Sequence, residues 1–182
     1  TTAAIGKGFA IGSAALTSAA LFSLYIKVMG ISSLSITNPI VFVGMLLGGM
    51  LPFVFSSFTL SAVDEGAMNI VKEIRKQFKD GKILKNKKKP DYDKCINIAT
   101  KSALHKMIVP TAIAILSPLL VGFLLGPHAL GGMLATSIIS GLMLALLFAN
   151  AGGAWDNTKK YIESGHYGGK NSKTHVSTVV GD

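Results

Sequence analysis

Met107–Gly126 reads MIVPTAIAILSPLLVGFLLG and Ala129–Ala149 reads ALGGMLATSIISGLMLALLFA, with only Pro127 and His128 between them. Neither stretch contains a charged residue, and each is long enough to cross a bilayer, which takes about 20 residues of helix. Gly8–Ile26 and Ile40–Val63 are uncharged in the same way. Packing four such blocks into a water-soluble core would require amphipathic stripes, yet Ser and Thr are scattered through them without a consistent charged face. The chain therefore reads as all-α, a polytopic membrane helix bundle with four transmembrane helices. Helices are expected over about 3–29, 38–78, 91–126 and 129–164, with polar loops over about 79–90 and 165–182.

Composition points the same way. Of 182 residues, 49% are hydrophobic and only 15% charged, whereas soluble domains carry nearly a quarter charged residues. The 20 glycines and 6 prolines sit among blocks of Leu, Ile, Val, Phe and Met, the opposite of a disordered composition. The single cysteine, Cys95, rules out an internal disulfide and a Cys-built zinc site. The first block is not expected to be a removable secretory leader, since Lys7 is followed by a long uncharged run without a short apolar core and cleavage site. Thr1 is not Met and Asp182 falls in a polar stretch, which reads as a piece of a longer protein.

The net charge of +9 could mean nucleic acid, membrane surface or phosphate chemistry, and its distribution decides. The basic residues crowd between Lys72 and Lys106, with a run at Lys87, Lys88 and Lys89. By the positive-inside rule this segment faces the cytoplasm. Two crossings back put Thr1 and Lys7 on that side, and two crossings forward put Trp155–Asp182 there too. No nucleic acid is expected, because Tyr92 is the lone aromatic from Ile83 to Lys94 and offers no stacking platform. The charges set topology, with membrane lipid as the remaining partner through anionic headgroups.

Gly44 with Gly48, and Gly122 with Gly126, have the small-xxx-small spacing that lets helices approach closely in lipid. Pro52, Pro110 and Pro118 lie inside spans, where proline frees carbonyls that neighbours can take up. Beyond Val63 the second helix continues, because Ala67, Ile70, Val71 and Ile74 recur at helical spacing among charged residues.

Candidate chemistry is concentrated after the fourth span. Asp156 stands at i+3 and i+4 spacing from Lys159 and Lys160, on one helical face. As a surface ion pair this means little. A carboxylate beside two ammonium groups is also what a magnesium phosphate ligand requires: oxygen for the hard cation, lysines for the remaining anionic oxygens. Lys7, at the entrance of the first span, either anchors that helix by snorkelling or adds a third ammonium. His105, His128, His166 and His175 have no metal-ligand spacing, and no Walker-type phosphate loop is present.

Two stretches resemble the membrane-bound, ion-pumping pyrophosphatase family: TTAAIGKGFAIGSAALTS at Thr1–Ser18 and GGAWDNTKKYIE at Gly152–Glu163, with KPDYDKC at Lys89–Cys95 in agreement. The resemblance implies hydrolysis of magnesium pyrophosphate on the cytoplasmic side, coupled to moving H+ or Na+, in a homodimer. The membrane would be vacuolar or of another acidic organelle in a eukaryote, and the plasma membrane in a prokaryote. It assigns Lys7, Lys159 and Lys160 to pyrophosphate and Asp156 to magnesium. Asp182 matches the first aspartate of the family's GDxxGD stretch and is expected at the metal. The attacking-water carboxylates belong to upstream segments, so no catalytic residue is expected here and this chain by itself is expected to be inactive.

The family also divides by potassium requirement. Ala3 and Gly6 match the potassium-dependent type, in which no lysine ammonium stands where K+ would bind, so the implied cofactors are Mg2+ and K+. Thr158 stands where Ala is usual, and Thr174–Ser177 departs from the family's more basic Pro-His-Lys-Ala. Without the resemblance, bundle packing and topology fit a non-hydrolytic transporter or channel fragment equally well, or a membrane scaffold.

Overall fold

A computed structural model describes residues 2–181, with side chains from residue 5 onward. The described residues form helices joined by turns and loops, without strands: α1 (Thr2–Val28), α2 (Pro39–Phe78), α3 (Tyr92–Lys106), α4 (Ile108–Leu125), α5 (Pro127–Glu163), a 3-10 turn at His166–Gly168 and α6 (Lys173–Gly181). Contacts divide the chain into two units. One runs to Gly49 and resumes at Pro127; the other is Met50–Gly126.

Local chemistry sets the helix ends. After α1, Gly30 turns left-handed at φ 63°, and Ile31 N–H and Gly30 N–H donate back to the carbonyls of Ile26 and Lys27, a Schellman closure that glycine makes possible. Asn38 Oδ1 accepts from Ile40 N–H at 3.0 Å, with Pro39 at the first helical position, where its missing N–H costs nothing. Four helical stretches are long and apolar enough to cross a membrane, and at most 17% of any such apolar window is buried. Phe9, Leu16, Phe123 and Leu124 are each at least 75% exposed. Side chains of that kind require lipid or further helices around them, and the protein is an integral, multi-pass membrane protein.

Within the first unit, α1 and α5 pack together, and the Tyr25 hydroxyl donates to Pro127 O at 2.7 Å. The C-terminal end of α1 thus meets the N-terminal end of α5, and the two run antiparallel. The start of α2 meets α5 more closely. A Cβ placed on Gly44 would lie 2.0 Å from Ala129 O, and one on Gly48 would lie 2.0 Å from Met133 O. Backbone packs on backbone along this seam, as the spacing of Gly44 and Gly48 predicts. Gly126 does something different: with φ at 87° it is the turn between α4 and α5, and a Cβ there would meet nothing within 4 Å.

The seam also resolves a backbone problem. Pro52 has no N–H, so the Gly48 carbonyl four residues earlier has no helical partner. Ser137 Oγ of α5 donates to it at 3.0 Å, and Thr136 Oγ1 donates to Met45 O at 2.7 Å. Where water is absent, such uptake is what makes an in-helix proline tolerable.

Two sequence expectations need correction. The helix expected over 91–126 is interrupted at Met107, which is α3's C-terminal boundary and α4's N-terminal one, with φ −78° and ψ −9°. Pro110 cannot donate to Lys106 O, so the ladder loosens there, while Met107 N–H and Thr111 N–H keep their bonds to the flanking turns. The loop expected over 165–182 contains α6. Ser172 Oγ accepts from His175 N–H at 3.1 Å, a side-chain cap that starts a helix despite its β-branched residues.

Gly44→Val is expected to lower the unfolding free energy of the intact, detergent-extracted protein by about 1–3 kcal/mol by forcing the seam apart, and Ser137→Ala by about 1 kcal/mol by orphaning a carbonyl. Gly49→Ala, where a Cβ would meet nothing within 4 Å, serves as the neutral control in the same unfolding titration.

Candidate functional site

α5 is 37 residues long, about 55 Å at 1.5 Å per residue, against a hydrocarbon core of about 30 Å. Its apolar run ends at Ala149, just before Asn150, and its first charged residue is Asp156, so the last turns project beyond the apolar span and carry the polar residues. There Lys159 Nζ lies 3.3 Å from Asp156 Oδ1, and Lys160 Nζ lies 2.5 Å from Asp156 Oδ2. One carboxylate is thus held between two ammonium groups. The hydrogen bonds from Lys160 and then Lys159 hold its pKa below the ordinary aspartate value. Asp156 keeps over a third of its side chain exposed and Lys160 nearly two thirds, so both can meet a ligand.

After α5 the chain reverses through Gly165, at φ 110°, and α6 returns along α5. His175 is buried, at 8% exposure. Its Nδ1 accepts from Asn171 N–H at 3.3 Å, which assigns the proton to Nε2, and Nε2 donates to Glu163 Oε1 at 2.9 Å. That bond lowers the Glu163 pKa. At the other end of α6, Gly181 is pressed on Trp155: a Cβ there would come within 2.5 Å of the indole. Gly181 immediately precedes Asp182, and Trp155 immediately precedes Asp156. Asp182 itself lies outside the described residues.

The remaining expected site residues are placed as follows. Lys7 is exposed on α1, at the same end of the antiparallel pair as the projecting part of α5. Counted from the Tyr25–Pro127 contact, Lys7 stands about 27 Å along its helix and Asp156 about 43 Å along the other. Lys7 therefore lies short of the Asp156 cluster and makes no ion pair with it. Ala3 belongs to α1, its side chain outside those described. Gly6 faces open space. Cys95 is half-buried, with its Sγ near Gln77 Nε2.

Among the described residues no three His, Cys, Asp or Glu side chains converge as a metal site. Asp156 fits Mg2+ as a single carboxylate ligand of the kind that shares the ion with substrate phosphates. The Glu163–His175 clasp was invisible to the sequence reading, which found no spacing among the histidines, because its partners are brought together only by the reversal at Gly165.

Residues 1–182, the whole chain, match the sequence profile of the family described as inorganic H+ pyrophosphatase. The chain belongs to that family. It is 50% identical over its full length to the K(+)-insensitive pyrophosphate-energized proton pump of Methanosarcina mazei, covering 28% of that protein. It is 46% identical to the K(+)-stimulated pyrophosphate-energized sodium pump of Thermotoga maritima, covering 27%, and 46% identical to pyrophosphate-energized membrane proton pump 3 of Arabidopsis thaliana, covering 25%. In each case all of this chain is matched, and it spans about a quarter of the relative's length.

In this pyrophosphatase-family chain the clasp has a pH dependence with a definite sign. Because the folded-state pKa of Glu163 is depressed, its contribution is present above the unfolded glutamate value of about 4.3 and is lost as pH falls through the folded value. Hydrogen exchange of the α6 amides is expected to accelerate over that acid range, and Glu163→Gln is expected to remove this pH dependence.

Proposed function

We propose that the chain forms part of a membrane-integral inorganic pyrophosphatase that hydrolyses magnesium pyrophosphate on the cytoplasmic side and moves H+ or Na+ across the membrane, as a homodimer. The observation that carries this reading is the Asp156 carboxylate between Lys159 and Lys160, at the projecting end of α5 in a chain of this family.

The chemistry follows from charge. Pyrophosphate is a polyanion, and its leaving phosphate must be stabilised as negative charge develops. At rest, Lys159 and Lys160 share one carboxylate. When the diphosphate arrives, their ammonium groups turn from Asp156 to its oxygens, and the freed carboxylate offers an oxygen toward a hard cation. Bound magnesium supplies charge neutralisation at the phosphate oxygens. Asp156 meets this role because its lysine neighbours hold its pKa below the ordinary aspartate value and so favour the ionised carboxylate. Lys7 and Asp182 complete the assignment: Lys7 from the end of α1 that shares this side, Asp182 one residue past Gly181. The residues here bind and orient, and activation of water falls to carboxylates outside this chain. Charge altered at this end on bond cleavage would bias a gate further along the helices.

Potassium stimulation belongs to the same proposal. Relatives of both kinds are similar to this chain. Its Ala3 and Gly6 leave room for a bound cation that a lysine ammonium would otherwise replace.

In vesicles containing the intact protein, Asp156→Ala and Lys159→Ala are each expected to lower pyrophosphate hydrolysis and pyrophosphate-driven ion uptake by about 100-fold or more, with membrane insertion unchanged. Normal turnover in both would overturn the site. K+ is expected to raise wild-type turnover and to have no effect on Ala3→Lys, which would carry its own cation; turnover indifferent to K+ in the wild type would refute the potassium assignment.

A further inference from the structure

A polar cavity lies in the other unit, far from Asp156 in sequence. The end of α2, the 79–90 loop and the start of α3 enclose about 590 Å³. Gln77 frames it. Its Oε1 accepts from Asp91 N–H at 2.8 Å and its Nε2 donates to Asp91 O at 3.2 Å, so one amide side chain clamps both backbone groups of the residue that begins α3. The loop is thereby closed into a fixed ring.

The balance of charge on that ring is uneven. Each lining carboxylate already has a partner. Glu73, buried at 9% exposure, is bound by Lys94 at 3.0 Å and by Gln77. Asp80 faces Lys82 at 3.8 Å, and Asp91 caps α3 by accepting from Lys94 N–H. Lys76, Lys79 and Lys88 line the same cavity, and their ammonium groups make no hydrogen bond or ion pair among the described residues. Three ammonium groups around one opening, with the local carboxylates occupied, select an anion with several oxygens.

Distance chooses the source of that anion. Lys76 lies about 20 Å along α2 beyond Val63, the last residue of the uncharged block. The headgroup zone on each side of the hydrocarbon is only about 5–8 Å deep. A lipid phosphate is therefore out of reach, and the occupant must come from solution.

We propose that Lys76, Lys79 and Lys88 form a binding site for a small soluble phosphate anion, separate from the Asp156 cluster. The inference stands whether or not the proposed hydrolytic function is correct, because it rests on different residues. No aromatic side chain lines the cavity, so recognition is of the phosphate group and not of a nucleobase.

The test uses the intact protein in nanodiscs of neutral phosphatidylcholine, with inorganic phosphate as probe and EDTA present to keep magnesium-dependent sites empty. Equilibrium dialysis with labelled phosphate is expected to show saturable binding that weakens at least tenfold in the triple variant Lys76→Gln, Lys79→Gln, Lys88→Gln. The matched variant Lys85→Gln, Lys87→Gln, Lys89→Gln removes the same charge from the same loop outside the cavity and is expected to bind normally. Equal losses in both variants, or no loss in either, would overturn the proposal. Should the triple variant fail to fold, the wild type still decides: phosphate is expected to shield Lys76, Lys79 and Lys88 from acetylation, read by mass spectrometry. Shielding that appears only when phosphatidylglycerol is added to the nanodisc, and not with phosphate, would assign the site to lipid and refute the soluble source.

Discussion

Carbonyl oxygens of α5 occupy the space that side chains on Gly44 and Gly48 would fill. Much else in the first unit follows from that contact. In lipid the hydrophobic effect does not drive helices together, so association depends on close packing and on satisfying backbone groups. The α2–α5 seam does both: glycine allows the approach, and the approach brings Ser137 and Thr136 within reach of Gly48 O and Met45 O. Pro52 belongs to the same device, since it leaves the carbonyl that Ser137 takes up. Helix α5 is fixed at its membrane end in this way, and because it is continuous to Glu163 the same rod carries Asp156, Lys159 and Lys160 out of the apolar layer.

How much of this could be read from the sequence depends on the range of the interaction. The four spans were legible because a bilayer imposes a length on uncharged runs, and such runs need no partner to be recognised. The Gly44 and Gly48 pair and the Asp156–Lys159–Lys160 face were legible because the helical period alone puts those residues side by side. The break at Met107 was not, although Pro110 was in view: Pro52 and Pro118 have the same chemistry and lie inside continuous helices. Whether a proline interrupts a helix is decided by its surroundings. α6 was missed for a related reason. Its valines and threonines are poor helix formers, and it is held by a Ser172 cap and by contacts with α5 that exist only after the chain has reversed.

The sequence reading also brought Lys7 together with the Asp156 cluster by topology alone. Antiparallel packing of α1 on α5 supports the shared end, and axial counting separates the two residues by about 16 Å. Topology assigns a side of the membrane; helix length assigns a depth. Residues at different depths meet one ligand only if that ligand, or a further segment, spans the difference. This makes Lys7 an outlying member of the proposed substrate set and the paired lysines of α5 its centre.

The α6 clasp and the Asp156 cluster, both in the first unit, differ in how they hold their charges, and that difference bears on which can exchange partners. At the α6 clasp, His175 is buried and both ring nitrogens are engaged, so releasing Glu163 would strand a polar ring away from water, a costly state. At Asp156 the carboxylate and the ammonium of Lys160 remain open to solvent, and an exposed ion pair between flexible side chains is weak. The clasp suits a permanent hinge. The Asp156–Lys160 pair suits a group that is traded: in the proposed function, a polyanion of higher charge draws the exposed Lys160 ammonium from the carboxylate at little cost.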